Sequence, residues 1–122
     1  MITVIEDDKV SQEFLCRVIA NYTDDEISRY STAESFIRDS KIKTLKPKVI
    51  FLDVTLPGMT GIEALSAIKD LEAFKETPVI MCTSSSDKKT ILQSIKFGAA
   101  NYLVKPPAKE VVEKIVNKYS SN

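Results

Sequence analysis

Residues 48–53 read Lys48-Val49-Ile50-Phe51-Leu52-Asp53. Four apolar residues in a row, closed by a carboxylate, fit a strand buried on both faces, because a strand with one wet face alternates apolar and polar residues. Similar short runs stand at Ile2 to Ile5, Val79 to Cys82 and Asn101 to Val104, and a weaker one at Glu26 to Tyr30. Between these runs the apolar spacing changes to the helical period. From Val10 to Tyr22 it picks out Val10, Phe14, Leu15, Val18, Ile19 and Tyr22. Ser31 with Glu34 three residues on reads as a capping box opening a helix through Phe36 and Ile37, and Lys43 to Lys46 as a basic turn before Pro47.

Beyond the central run, Pro57-Gly58 and Gly61 mark a loop, and Ile62, Leu65, Ile68 and Leu71 form the next helical stripe. Asp87 can cap a helix carrying Ile91, Leu92 and Ile95, which Gly98 closes. Pro107 suits the first position of a final helix with Val111, Val112, Ile115 and Val116 on one side. Five strand–helix repeats joined by short loops predict an α/β domain: a doubly wound, five-stranded parallel sheet of (βα)5 type. A length of 122 residues fits one domain, expected to span residues 1–122.

Seventeen basic and seventeen acidic side chains cancel. That balance offers no electrostatic reason to expect direct binding of nucleic acid or of an anionic membrane. No stretch is long and apolar enough to span a bilayer, and the N-terminus enters a strand-like run without a signal peptide's basic region. Cys16 and Cys82 sit among apolar neighbours and read as reduced, buried thiols, which suits the cytoplasm. Histidine is absent, which removes His-based triads, His-ligated zinc and phosphohistidine formed within this chain.

Open α/β sheets bind ligands at the carboxyl ends of their strands. Here those ends carry Glu6-Asp7-Asp8, Asp53, Thr83-Ser84-Ser85-Ser86 and Lys105. Asp8 can cap the helix that follows it. If the first and third strands are neighbours, Glu6, Asp7 and Asp53 crowd together. Like charges so close raise one another's pKa or recruit a cation, and an all-oxygen set suits Mg²⁺. Asp53 can then act as a nucleophile once a metal and the Lys105 ammonium neutralise an incoming phosphate. Thr83 can donate its hydroxyl to a phosphoryl oxygen.

The motifs Val4-Ile5-Glu6-Asp7-Asp8, Leu52-Asp53 with Leu56-Pro57-Gly58-Met59-Thr60-Gly61, Met81-Cys82-Thr83 and Tyr102-Leu103-Val104-Lys105-Pro106 together resemble the receiver domain of two-component response regulators. The resemblance implies a flavodoxin-like fold with strand order 2-1-3-4-5. It implies that Asp53 accepts a phosphoryl group from a partner's phosphohistidine, on a sensor histidine kinase or a histidine phosphotransfer protein. Asp7 would bind Mg²⁺ directly, Glu6 would help, and the backbone carbonyl of Thr55 would complete the protein ligands. Lys105 and Thr83 would hold the phosphoryl group, and Tyr102 would be the switch aromatic. The Lys105-Pro106 bond would be cis. The switched surface would lie around the helix of Ile91 and Ile95, the fifth strand and the last helix, with Ile91, Ile95 and Tyr102 bordering a downstream protein target or effector domain.

Glu6 replaces the commoner aspartate, and Pro107 stands where the family usually has a large apolar residue. Three other readings compete. A haloacid-dehalogenase-type phosphohydrolase wants a second aspartate two residues after the nucleophile, where Thr55 stands. A flavodoxin-like cofactor binder wants a phosphate loop after the first strand, where three acids stand. A degenerate receiver acting only as a docking module would lack some of the active residues, and all of them are present.

Overall fold

A computed structural model describes residues 1–56, 58–84 and 88–120. The chain runs β1 (Ile2–Ile5), α1 (Lys9–Ala20), β2 (Ile27–Tyr30), α2 (Ala33–Arg38), α3 (Ser40–Leu45), β3 (Val49–Asp53), α4 (Gly61–Asp70), a 3₁₀ turn (Glu72–Phe74), β4 (Val79–Thr83), α5 (Lys88–Lys96), β5 (Asn101–Val104) and α6 (Lys109–Ser120). The sheet is parallel throughout, in the order β2-β1-β3-β4-β5, as the resemblance implied. β3 lies at its centre.

Successive residues of a strand point to opposite faces, and both faces are covered. Val49 and Phe51 join Leu15, Ile19, Val112 and Val116 beneath α1 and α6. Ile50 and Leu52 join Phe36, Leu65, Ile68 and Phe74 on the other side. All five residues of β3 are buried. Truncating one such side chain to alanine costs about 2–5 kcal/mol, so these two half-cores fix the sheet and hence the position of every strand end.

Local structure departs from the sequence reading in several places. The cap of α2 is Thr32, whose hydroxyl accepts the Ser35 N–H, and not a Ser31–Glu34 box. Glu34 is turned instead toward Gly58, where its Oε2 comes within 3.0 Å of the place a Cβ would occupy. The same T-x-x-E signal does form a full capping box at Thr60 and Glu63, at the start of α4. Lys43 to Lys46 is not a simple turn. Asp39 accepts the Lys41 N–H and starts a second short helix, α3, which buries Ile42. The last helix begins at Lys109, so Pro107 precedes it by two residues. Pro106 and Pro107 line a cleft against α1 instead. Val10 and Phe14 are exposed rather than core, because α1 buries only the side bearing Leu15, Cys16, Val18 and Ile19. Val111 is likewise exposed, while Val112, Ile115 and Val116 are buried. Asp87, expected to cap α5, lies outside the described residues.

Candidate functional site

Parallel strands bring their carboxyl ends to one edge. β1 pairs with β3 so that Ile5 lies beside Leu52, and the residues that follow, Glu6 and Asp53, emerge together. One carboxylate oxygen from each of Glu6, Asp7 and Asp53 lies within 4.8 Å of the others. Glu6 and Asp53 are buried, while Asp7 faces solvent. β4 pairs with β3 through Cys82 opposite Asp53, and with β5 through Thr83 opposite Val104. Lys105 follows directly, its backbone N–H bonded to the Thr83 carbonyl at 2.7 Å. Its ammonium donates to a Glu6 carboxylate oxygen and lies 3.2 Å from Asp53 Oδ1.

The acids outnumber the ammonium. Burial, reinforced by a hydrogen bond shared with Asp53, pushes the Glu6 carboxyl up to about 7 even though Lys105 and the Asp8 N–H pull it down. Burial works against the charge on Lys105, but Glu6 and Asp53 outweigh it and raise its pKa. The pocket therefore carries more negative charge than its own side chains neutralise at neutral pH.

Backbone groups fix the rim. The Thr55 N–H donates to Asp53 Oδ1 at 3.2 Å, which sets the Thr55 peptide beside the acids. Asp8 caps α1 by accepting the Ser11 N–H at 2.8 Å, and its own N–H donates to Glu6 Oε2 at 3.1 Å. The loop after Asp53 closes because Gly61 N–H bonds the Val54 carbonyl at 2.6 Å. A Cβ on Gly61 would stand 2.3 Å from Val54 Cα, so no side chain fits there. Gln12 was not foreseen: its amide donates to the carbonyls of Glu6 at 2.9 Å and Tyr30 at 3.2 Å, tying β1 to β2 at the site. Nothing in a lone polar residue on a helix announces such a tie.

The other sequence-predicted residues lie further out. Thr83 is buried at the end of β4. Tyr102 stands exposed on the edge strand β5, paired with Met81. Ile91 is half-buried and Ile95 exposed on α5, with Leu92 more exposed than either. The Lys105-Pro106 peptide is cis. Beside the acids, a cleft of about 370 Å³ is walled by Val10, Phe14, Leu15, Pro106 and Pro107, with Glu6 and Lys105 contributing to it.

A family model described as "Response regulator receiver domain" matches residues 2–117. The chemotaxis protein CheY of Thermotoga maritima is 32% identical over 80 residues, covering 66% of this chain and 65% of that protein. CheY of Bacillus subtilis is 33% identical over 78 residues, 64% of this chain and 63% of that one. A protein-glutamate methylesterase/protein-glutamine glutaminase of Xanthomonas oryzae is 29% identical over 93% of this chain but only 34% of its own length. The matches thus span from a third to just under two thirds of these relatives. Among solved structures, the BeF3-activated DrrB receiver domain superposes with a TM-score of 0.83 at 28% identity, covering 99% of this chain and 97% of that one.

Proposed function

Because the chain belongs to the response regulator receiver domain family, a family of phosphoacceptors, we propose that Asp53 is the residue that carries its phosphoryl group, beside a Mg²⁺ held by Glu6, Asp7 and Asp53. The observation that carries this reading is the convergence of three carboxylates on one point with a single ammonium among them. The donor set fits the ion: it is all oxygen, negative in excess, and open to solvent at Asp7. The one cysteine nearby, Cys82, is wholly buried and its thiol is pushed up by burial, so it offers no competing soft ligand. The Thr55 carbonyl would complete the protein ligands. Bound there, Mg²⁺ would neutralise charge and polarise a phosphoryl oxygen.

Asp53 Oδ1 accepts the Thr55 N–H and lies 3.2 Å from the Lys105 ammonium, contacts that hold the carboxylate in place to meet phosphorus. The P–N bond of a partner's phosphohistidine breaks as the P–O bond to Asp53 forms, and the imidazole leaves with the bonding pair and takes up a proton. Lys105 holds the charge that builds on the phosphoryl oxygens, and Thr83 donates its hydroxyl to one of them. The partner, a histidine kinase or histidine phosphotransfer protein, would reach Asp53 across the apolar cleft of Val10, Phe14 and Pro106. The added charge then biases a conformational equilibrium at Thr83, α5 and β5, with Tyr102 turning inward. The signal passes to a protein target or effector domain at Ile91, Ile95, Tyr102 and α6. The buried thiols Cys16 and Cys82 are free, in keeping with a reducing cytoplasm. No helix among the described residues is long and apolar enough to cross a membrane.

Intact mass after incubation with a small phosphodonor and Mg²⁺ tests the reading. One added phosphoryl group is expected on the unaltered chain, and none on Asp53→Asn or after Mg²⁺ removal. Equal labelling of Asp53→Asn would defeat it.

A further inference from the structure

The cleft of about 370 Å³ beside the three acids lies at the small end of the range of ligand sites. Three elements build it. α1 supplies Val10 and Phe14, one turn apart, with Leu15 beside them. The segment after β5 supplies Pro106 and Pro107, and the buried Cys82 and Leu103 of the sheet form the floor.

These walls decide the body of a ligand. Proline has no N–H, so Pro106 and Pro107 offer rings and no backbone donor. Burial keeps the Cys82 thiol protonated, and its Sγ already leans to the Ile80 carbonyl at 3.9 Å. Val10 is 78% and Phe14 45% exposed, so apolar surface stands in water at the mouth. A ring that covers it gains the apolar burial, whereas a polar body would lose hydration and find few partners there.

The charged groups decide the head. Glu6 and Lys105 reach the cleft from the side of the acids. Glu6 is only 5% exposed. One of its oxygens accepts Lys105 and the other the Asp8 N–H, but a carboxylate offers about four acceptor sites, so each oxygen retains one. The Lys105 ammonium is already shared between Glu6 and Asp53. An arriving cation therefore meets three carboxylates against one ammonium, and an arriving anion meets that surplus as repulsion.

We propose that this cleft binds a small aryl-alkyl amine, its ring between Phe14 and the two prolines and its ammonium on Glu6. The binding does not rest on the reading of Asp53 as the phosphoacceptor. Its consequence does: an occupant beside Lys105 stands in the path of a phosphodonor and slows labelling.

The test titrates the full chain, free of Mg²⁺ and phosphodonor, with phenethylamine, phenethyl alcohol, phenylpropionate and ethylamine. Phenethylamine should bind with a Kd of about 1 mM or tighter, and at least ~tenfold tighter than each of the others, a difference of about 1.4 kcal/mol. It should shift the amide signals of Val10, Phe14 and Leu103. Phe14→Ala removes a wall and Val10→Lys sets an ammonium at the mouth, both at exposed positions outside the core. Each should weaken phenethylamine about tenfold, and Val10→Lys should tighten phenylpropionate. Equal binding of the alcohol would make the cleft an apolar groove only, and equal binding of ethylamine would make the acids an unselective cation site. Either result overturns the proposal, as do shifts that avoid the cleft or variants that bind phenethylamine as the original does. Intact-mass labelling with Mg²⁺ and a small phosphodonor, with and without saturating phenethylamine, separates the two claims. Amine binding without any labelling breaks the reading of Asp53 and keeps the cleft, while labelling without amine binding does the reverse. Labelling at an unchanged rate with the amine bound would place the amine elsewhere and overturn the proposal.

Discussion

The two ends of the sheet use the same chemistry to opposite effect. At the amino end, Asp25 accepts the Ser120 hydroxyl and sits 3.0 Å from the Lys48 ammonium, and Thr23 lies 3.1 Å from Ser120. The Ser120 hydrogen bond first, and Lys48 next, lower the Asp25 pKa. One acid, two ammoniums (Lys48 and the Met1 N-terminus, 4.0 Å away) and two hydroxyls form a cluster that pins the end of α6 to the loop before β2. At the carboxyl end three acids share one ammonium, and Glu6 is pushed up to about 7. A satisfied cluster stabilises the fold. A surplus of like charge costs stability, and it persists where a missing counter-charge is supplied from outside.

That contrast can be broken in measurable ways. The largest effect is expected from Gly61→Ala, which touches only the carboxyl end: the new Cβ would collide with Val54 backbone and cost about 3 kcal/mol or more in urea unfolding. A loss below about 1 kcal/mol would mean that the loop holding the rim of the site gives way easily. Next, Asp25→Ala should cost about 1–3 kcal/mol, since it strands Lys48 and Ser120 at a partly buried site. No loss would make the amino end as dispensable as a surface ion pair.

The two ends give the pH dependence of stability opposite signs. Glu6 has a raised folded pKa. Without a divalent cation, its contribution is therefore greatest below the ordinary value of 4.5 and is lost as pH rises to about 7. Asp25 has a lowered one, so its contribution is present above its ordinary 3.8 and is lost as pH falls through the folded value. Unfolding curves of Glu6→Gln and Asp25→Asn across pH 3 to 8 should each flatten one of these slopes. If both variants flattened the same limb, the contrast would be wrong. The smallest effect is expected from Gln12→Ala, about 1 kcal/mol, because it removes the amide that joins the β1 and β2 carbonyls.

How much was legible in the sequence follows from the same physics. β1, β3 and β4 declared themselves because a strand covered on both faces has no polar alternation to hide in, and a parallel sheet then sends Glu6, Asp53 and Thr83 to one edge. The amphipathic stripes gave the helices but not which apolar residue faced in. Val10, Phe14 and Val111 lie at the borders of their stripes, and only the packing of α1 and α6 decides that they stay exposed. Capping misled at Ser31 because Thr32 beside it offers the same hydroxyl one step closer to Ser35. The Asp25–Ser120 tie joins residues 95 apart in the chain, so no local signal announces it. Gly61 read as a loop glycine, whereas its reason is the Val54 backbone pressed against it.

The carboxyl-end acids hold more negative charge than the fold can use alone. The unfolding free energy of Asp7→Asn against the unaltered chain at neutral pH, with and without Mg²⁺, tests this. Without the ion, the variant should be at least as stable as the original, because a repelling charge has gone from an exposed position. With Mg²⁺ the original should gain stability and the variant much less. A variant that is clearly less stable without Mg²⁺, or an original that gains nothing from the ion, would contradict the account.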